Sequence, residues 1–354
     1  MKEEKSIYFS LIKETFYAYE EIEGQIFINN NYQIQSDNIE LNFKGKEIIQ
    51  SFKKLKQNEK IIPPLENILI NQNVNISHLN KINKNESYII PFKFKINNKN
   101  LPGSFFFFNN ENLILAEIIY TITIRIDNLK YSNIIIIKED EKHFNVFKEL
   151  KTNKLFRNCC ERNKVEMNVS YKKDFITIGE KFQILVSLNN TKNNNDGEEI
   201  YIELNKKVIL YPNNDPIEIN IPITSLLGNN KIKQKSTFAE KYEILFNSEQ
   251  IIPTLNYISS SEYSKYIKQN NLLLTKINQS IVSVNIVCEY SLIIWTCFPN
   301  FDFDDICISF PLIVYPSSNL CYTNIKSLYT ISEDEFDDIQ INTYEEETHI
   351  PNFL

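Results

Sequence analysis

The amino-acid sequence predicts an all-β protein with two tandem antiparallel immunoglobulin-like β-sandwiches, a short hinge between them and an acidic C-terminal tail. Short segments rich in Ile, Val, Tyr and Phe recur along the 354 residues, each bounded by Asn, Gly, Pro or charged residues. This is the pattern of strands separated by turns. Convincing amphipathic helices are few. The length exceeds that of a typical single domain, and an internal repeat indicates that one sandwich occurs twice.

The clearest strand spans residues 88–96, where alternating apolar residues from Ile90 to Ile96 share one face. It is followed by a Leu-Pro-Gly-Ser-Phe segment at 101–105. Pro102 cannot donate to a strand ladder, so this turn belongs at a sheet edge or a strand end. Further strands are predicted at 24–28, 39–43, 117–124 and 281–287, whereas residues 237–247 and 262–269 fit either a helix or a loop.

The internal repeat becomes visible when the chain is shifted by 160 residues, which aligns 20–30 with 180–190. The inward-facing positions are then apolar in both copies, and both copies end in a pair of Asn residues. The matched apolar residues are Ile22 with Phe182, Ile26 with Val186, and Ile28 with Leu188. The repeat predicts two similar domains.

Domain boundaries follow from the repeat and from shifts in composition. The first sandwich is predicted at 1–148, a basic Cys-containing hinge at 149–164, the second sandwich at 165–317 with a long insertion at 227–280, and the acidic tail at 318–354. The hinge contains the adjacent residues Cys159 and Cys160, which fit a tolerated reduced thiol pair, with lipidation or redox sensing as alternatives. Reduced thiols are expected because no secretory signal or membrane span is visible.

Charge is concentrated towards the C-terminal end. Residues 331–354 contain eight of the 45 acidic residues and no Lys or Arg, so the rest of the chain, with all 38 basic residues, is nearly neutral. A neutral body argues against nucleic-acid binding, which requires a basic face. We therefore expect a cytoplasmic protein with no nucleic-acid partner and no transmembrane segment.

No catalytic, cofactor-binding or metal site is predicted. The three histidines, His78, His143 and His349, are far apart in sequence and belong to no zinc-type cluster. The sequence has no GxSxG, P-loop or GxGxxG segment. The chain is therefore predicted not to be an enzyme. An enzyme on a β-sandwich scaffold would require a cleft of convergent polar groups, which the sequence does not show.

Two groups of lysines are candidate interaction residues. The first group flanks Gly45 on a predicted strand, and the second alternates, so that its members share one face if the segment is extended. They fit either a solvated surface or a binding site for phosphate, on a receptor tail or on a phosphoinositide headgroup. The two groups are Lys44 with Lys46, and Lys231 with Lys233 and Lys235.

The tail is the candidate regulatory segment. Its hydroxyl residues precede acidic ones, which is the environment that acid-directed kinases favour, and each phosphorylation would add about −1.5 to −2 charges. The alternative is a disordered tail that serves solubility. The candidate residues are Ser332, Glu333, Asp334, Glu335, Asp337, Asp338 and Thr343.

Several segments, taken in order, resemble the arrestin family. Residues 88–105, an aromatic strand followed by Leu-Pro-x-Ser-Phe, are similar to a segment of that family. Residues 175–182 keep the core of the family's Tyr-x-Pro-Gly-Glu turn, whereas the first copy at 17–20 lacks its Pro and Gly. The strands at 118–122 and 310–314 fit as well. The Cys-containing hinge makes the resemblance nearest to the α-arrestin, or arrestin-domain-containing, branch.

The resemblance implies an arrestin-like adaptor or scaffold that binds cytoplasmic tails of membrane proteins and trafficking machinery, for sorting, endocytosis or signalling at the plasma membrane or endosomes. Sandwich edges would bind extended peptides, and the acidic tail would pair with basic residues of the first sandwich until cargo displaces it. The alternative is a constitutive trafficking-coat subunit like the arrestin-fold cargo subunit of retromer. Recruitment of a ubiquitin ligase is not expected, because the chain has no Pro-Pro-x-Tyr motif.

Overall fold

All regular secondary structure in the described residues is β-strand, which confirms the predicted all-β fold. The strands form two compact units. We call the strands between residues 7 and 138 the first unit and those between 150 and 315 the second unit. The computed structural model describes residues 7–13, 15–29, 38–51, 64–77, 87–109, 114–127, 129–138, 150–157, 164–171, 173, 175–212, 215–245, 279–298 and 306–315.

The first unit is built from two sheets. Its described strands are β1 (Ile7–Leu11), β2 (Thr15–Tyr17), β3 (Glu21–Asn29), β4 (Asn38–Ser51), β5 (Leu65–Ser77), β6 (Ser87–Lys95), β7 (Phe105–Asn109), β8 (Ile114–Ile126) and β9 (Leu129–Lys138). The smaller sheet has the order β1-β3-β6, and the larger has the order β2-β9-β8-β4-β5 with β7 beside β8. Neighbouring strands are antiparallel, except that β2 is parallel to β9.

The second unit is built in the same way. Its described strands are β10 (Leu150–Arg157), β11 (Lys164–Tyr171), β12 (Phe175–Thr177), β13 (Lys181–Asn189), β14 (Tyr201–Leu210), β15 (Ile217–Leu227), β16 (Thr237–Leu245), β17 (Ile281–Val282), β18 (Ile286–Thr296) and β19 (Ile306–Tyr315). The smaller sheet has the order β10-β11-β13-β16, and the larger has the order β12-β19-β18-β14-β15 with β17 beside β18. Only β12 and β19 pair in parallel among these described strands.

The two units repeat one fold strand for strand. Strands β1–β9 correspond in order to β11–β19, and β10 is an addition to the second unit. Registers correspond as well, since Ile7 lies opposite Ile28 in the first unit and Met167 lies opposite Leu188 in the second. The apolar residues matched by the sequence repeat are all buried, namely Ile22, Ile26, Ile28, Phe182, Val186 and Leu188. The predicted internal repeat is therefore confirmed.

In each unit the two sheets pack against each other, and buried aromatic side chains meet between them. In the first unit Phe9 of β1 meets Tyr131 of β9 edge-to-face, with ring centroids 5.2 Å apart. In the second unit Tyr171 of β11 stacks on Phe310 of β19, with ring centroids 4.3 Å apart. All four rings are buried, and such pairs add specific geometry to the apolar area that they remove from water.

The turn that precedes β3 is built like the turn that precedes β13. Lys13 forms an ion pair with Glu20 at 2.6 Å, and Lys173 forms one with Glu180, also at 2.6 Å. The backbone N–H of each glutamate donates to the carbonyl three residues earlier, at 3.0 and 2.9 Å. In the second unit Gly179 adopts a φ of +91°, which only glycine reaches without strain. The acidic residue of the predicted turn thus fixes the entry into a core strand in both copies.

The Leu-Pro-Gly-Ser-Phe segment lies at a strand end, directly before β7, as predicted. Ser104 donates its backbone N–H to the carbonyl of Ile137 at 2.7 Å, and its hydroxyl accepts the N–H of Ile137 at 2.9 Å. Ser280 and Val314 form the same two hydrogen bonds in the second unit, at 2.7 and 2.9 Å. In each unit a serine therefore forms two hydrogen bonds, one through its backbone and one through its side chain, to the same residue of β9 or β19.

Three described segments differ from the sequence-based expectation. Residues 150–157, predicted as part of the hinge, form β10 and pair with β11. Residues 237–245, which fitted a helix or a loop, form β16 and pair with β13. The single strand predicted at 281–287 is divided into β17 and β18 by a tight turn, closed by a hydrogen bond from Ser283 N–H to the carbonyl of Ile286 at 2.8 Å.

The one tryptophan of the chain, Trp295, belongs to the second unit. It lies on β18 opposite Tyr201 of β14, and the two rings stack with centroids 4.1 Å apart and planes at 7°. Both side chains are half-buried on the outer face of the larger sheet.

Candidate functional site

Most edge strands of the two units carry a feature that blocks pairing with another chain. Exposed strand edges can accept a further strand, and proteins commonly block them with Pro, charged residues, bulges or short length. β6 contains Pro91 and Lys93, β15 contains Pro222, and β5 has a bulge opposite Gly45. β10 and β16 contain lysines. β2, β12 and β17 have at most three residues, and Phe105–Phe107 of β7 are buried.

β1 differs from these strands. Among the described residues it is the one exposed edge strand longer than three residues that has no Pro, charge or bulge. The ladder between β1 and β3 continues with a hydrogen bond from Ile12 N–H to the carbonyl of Glu23 at 3.1 Å. Because bonded residues alternate in an antiparallel ladder, Ile7, Phe9 and Leu11 direct their N–H and C=O groups away from β3. No described residue pairs with this edge of β1.

The second unit has a strand at the equivalent position. β11, the counterpart of β1, is flanked by β13 on one side and by β10 on the other. Leu150, Thr152 and Lys154 of β10 lie opposite Tyr171, Val169 and Met167, which correspond to Leu11, Phe9 and Ile7. The fold therefore accepts an added antiparallel strand at this edge, and the chain itself supplies one in the second unit.

The predicted lysine group around Gly45 lies on the outer face of the larger sheet of the first unit. Lys46 forms an ion pair with Glu66 of β5 at 3.0 Å, and 13% of its side chain is exposed. Lys44 is half-buried two residues earlier on the same strand. Lys46 is therefore engaged within the sheet, and the two residues do not form an open cationic surface.

The second lysine group does not form the predicted stripe. Lys231 and Lys233 are exposed on either side of buried Ile232, which bridges Gly197. Lys235 instead lies in a turn with a φ of +52°. The turn forms because the neighbouring Asn-rich loop binds it: Asn190 donates its side-chain N–H to the carbonyl of Lys233 at 2.9 Å. A buried asparagine thus replaces the extended geometry that alternation alone suggested.

The φ of Lys235 leads to a stability prediction. A left-handed backbone is unfavourable for a residue with a Cβ and free of strain for glycine. Lys235→Gly is therefore expected to raise the free energy of unfolding by about 0.5–1 kcal/mol. Urea unfolding of the two proteins measures this difference. Lys233→Gly is the matched control, because it removes the same charge from a residue with negative φ and should be neutral or destabilising.

The tail candidates Ser332, Glu333, Asp334, Glu335, Asp337, Asp338 and Thr343 lie outside the described residues, as do Cys159 and Cys160. So does most of the predicted insertion, residues 246–278. Within the described part of the chain, no three His, Cys, Asp or Glu side chains are grouped so that they could hold a metal ion.

The open edge of β1 was not predicted from the sequence. Residues 7–11 have the alternation of an ordinary strand, and whether a strand lies at an edge depends on which other strands pair with it. The absence of Pro and charge in this segment, compared with Pro91 and Lys93 in β6, is the signal that the sequence did contain.

No family model matches the chain, and no curated protein matches it. Among the described residues there is no helix with the length and apolar character needed to cross a membrane.

Proposed function

We propose that this protein is an adaptor that binds extended segments of other proteins by pairing them with β1. The observation that carries the proposal is the open edge of β1, whose counterpart in the second unit already accepts the strand β10. Strand addition takes its affinity from backbone hydrogen bonds and its selectivity from alternate side chains. It requires no catalytic or metal-binding residue, and the proposal is of a protein that is not an enzyme.

The class of ligand follows from the resemblance described above. Two copies of one sandwich in tandem are compatible with an arrestin-like fold. We therefore take the ligands to be cytoplasmic segments of membrane proteins that the adaptor binds during sorting, endocytosis or signalling. This places the protein in the cytoplasm, at the plasma membrane or endosomes. This part of the proposal is drawn by analogy with the arrestin family.

Peptide selection tests the binding mode. A displayed library of random peptides of about twelve residues is selected on the full chain, and affinities of the enriched peptides are measured by fluorescence anisotropy. Leu11→Pro removes one outward N–H of β1 and leaves the ladder to β3 intact, in the same way as Pro91 in β6. We expect this variant to weaken binding at least about tenfold.

Two further variants make the result interpretable. Ile7→Pro blocks the other end of the same edge, so it tests the proposal independently if Leu11→Pro fails to fold. Lys93→Pro is the matched control, because residue 93 directs its N–H away from β3 on the opposite edge of the sheet. Selected peptides that bind wild type, Leu11→Pro and Ile7→Pro equally would overturn the assignment of β1 as the binding edge.

Proximity labelling in cells tests the ligand class. Wild type is fused to a labelling enzyme, and so is whichever of Leu11→Pro and Ile7→Pro folds better. The proteins labelled by wild type but not by the variant are then identified. Enrichment of membrane proteins labelled on their cytoplasmic segments would support the adaptor. Co-purification of a partner at fixed stoichiometry, unaffected by the β1 variant, would instead support a constitutive coat subunit.

A further inference from the structure

The outer face of the smaller sheet in the first unit contains a row of apolar side chains, two of them exposed and the central one half-buried. Tyr8 of β1 lies opposite Phe27 of β3, which lies opposite Ile89 of β6. The rings of Tyr8 and Phe27 stack with centroids 4.8 Å apart and planes at 10°. Tyr8 is 49% exposed and Ile89 is 62% exposed. We call these three residues the apolar row.

The fold does not require an apolar row at these positions. In the second unit the corresponding row is Asn168 of β11, Ser187 of β13 and Ala239 of β16. The sandwich therefore forms with small or polar residues at all three positions.

The neighbouring rows of the first unit are mostly polar. Ser10 lies opposite Gln25, which lies opposite exposed Pro91. In the next row Lys93 bridges Glu21 and Glu23 at 2.7 and 2.6 Å, and Ile12, beside Glu23, is an exposed apolar residue. The apolar row is thus a local feature of the first unit, and neither the fold nor the composition of this sheet face explains it. An exposed cluster of this kind indicates an interaction surface.

The apolar row ends at the open edge of β1. A strand added to that edge would extend every row of the sheet by one residue, as Asn153 of β10 extends the row of Asn168 in the second unit. Tyr8 directs its backbone groups towards β3, so it would form a non-hydrogen-bonded pair with the added strand. In such pairs the side chains approach most closely.

We infer that the bound peptide is selected by an aromatic or large apolar side chain at the position opposite Tyr8. That side chain would stack on Tyr8 and continue the apolar row, whereas the next outward residue would face polar Ser10. The ligand class is an extended, antiparallel segment with one outward-facing aromatic residue. The inference rests on the proposed function and adds the residues that determine its specificity.

The test compares wild type with a row variant that carries the residues of the second unit, Tyr8→Asn, Phe27→Ser and Ile89→Ala. All three side chains lie on the outer face of the sheet, away from the core, so circular dichroism and thermal melting should show that the variant folds. From the peptides selected on wild type, we expect enrichment of Phe, Tyr or Trp at one fixed position. Changing that residue to Ala in a selected peptide is expected to weaken binding to wild type about three- to tenfold and binding to the row variant hardly at all.

The outcomes separate this inference from the proposed function. If Leu11→Pro abolishes binding but the aromatic-to-Ala change weakens binding to wild type and row variant equally, the inference is wrong and the function stands. If no peptide binds, or if neither Leu11→Pro nor Ile7→Pro weakens binding, the proposed function itself fails. A concentration-dependent dimer in sedimentation that the row variant abolishes would show that a second copy of this chain covers the apolar row, and it would overturn the inference.

Discussion

Replacing Gly24 with alanine is expected to destabilise the first unit by about 3 kcal/mol or more. Gly24 lies in the middle of β3, opposite Leu11 of β1 and Phe92 of β6. A Cβ at this position would lie 2.5 Å from the carbonyl oxygen of Ser10 and 2.7 Å from the ring of Phe92. The ring has some freedom to move, but the carbonyl belongs to the backbone of β1. The substitution therefore forces β1 and β3 apart.

Thermal and urea unfolding of the full chain measure the effect of Gly24→Ala, and peptide binding at β1 should be lost in parallel. Gln25→Ala is the matched control, because residue 25 is exposed on the same strand and should change stability by no more than about 0.5 kcal/mol. Unfolding curves that coincide for Gly24→Ala and wild type would contradict the close contact of β1 and β3.

Replacing Lys206 with methionine is expected to remove a pH dependence from the stability of the second unit. Lys206 shares the buried face of β14 with Leu204 and Val208, and it is 3% exposed. Burial lowers the pKa of its amino group from the usual 10.5, an effect that the nearby thiol of Cys288 partly opposes. Between the lowered pKa and 10.5 the unfolded chain holds the extra proton, so the stability of wild type rises with pH.

The pH dependence is measured as the difference in the free energy of unfolding between wild type and Lys206→Met. This difference should shift in favour of wild type as the pH rises from the lowered pKa of Lys206 towards 10.5, by up to about 1.4 kcal/mol for each pH unit. Lys207→Met is the control. Lys207 is bound by Glu218 at 2.8 Å, which raises the pKa of its amino group. The amino group of Lys207 stays protonated in both the folded and the unfolded chain below pH 10.5. The difference in the free energy of unfolding between wild type and Lys207→Met should therefore not change with pH. A parallel pH profile for wild type and Lys206→Met would contradict the buried position of Lys206.

Sequence patterns predicted the parts of the fold where burial alternates without interruption. β3 and β13 could be aligned because their inward-facing positions are apolar at three matched pairs, and the structure places both strands inside their smaller sheets, with a paired strand on each side. β16 was missed because Glu240 interrupts the apolar face made by Phe238, Tyr242 and Ile244. The structure shows why the charge is accepted there: the hydroxyl of Tyr242 donates to Glu240 at 2.8 Å, and Asn230 donates to it at 3.2 Å.

The candidate site was less predictable than the fold. The sequence predicted interaction sites at two groups of lysines, but Lys46 pairs within its own sheet and Lys235 lies in a turn. The site at β1 depends on the pairing of strands far apart in sequence, and β10 could not be identified because lysines and asparagines interrupt its pattern. The apolar row likewise brings together residues 8, 27 and 89, which only the register of three strands aligns.

The position of Trp295 gives the molecule a built-in optical probe. Indole emission arises in the second unit and not in the first, because the chain has a single tryptophan. Far-ultraviolet dichroism, by contrast, records the strands of both. Comparing the two unfolding curves would show whether the two units unfold in one cooperative transition or in two separate ones. A duplicated architecture rarely allows its halves to be followed separately without a label.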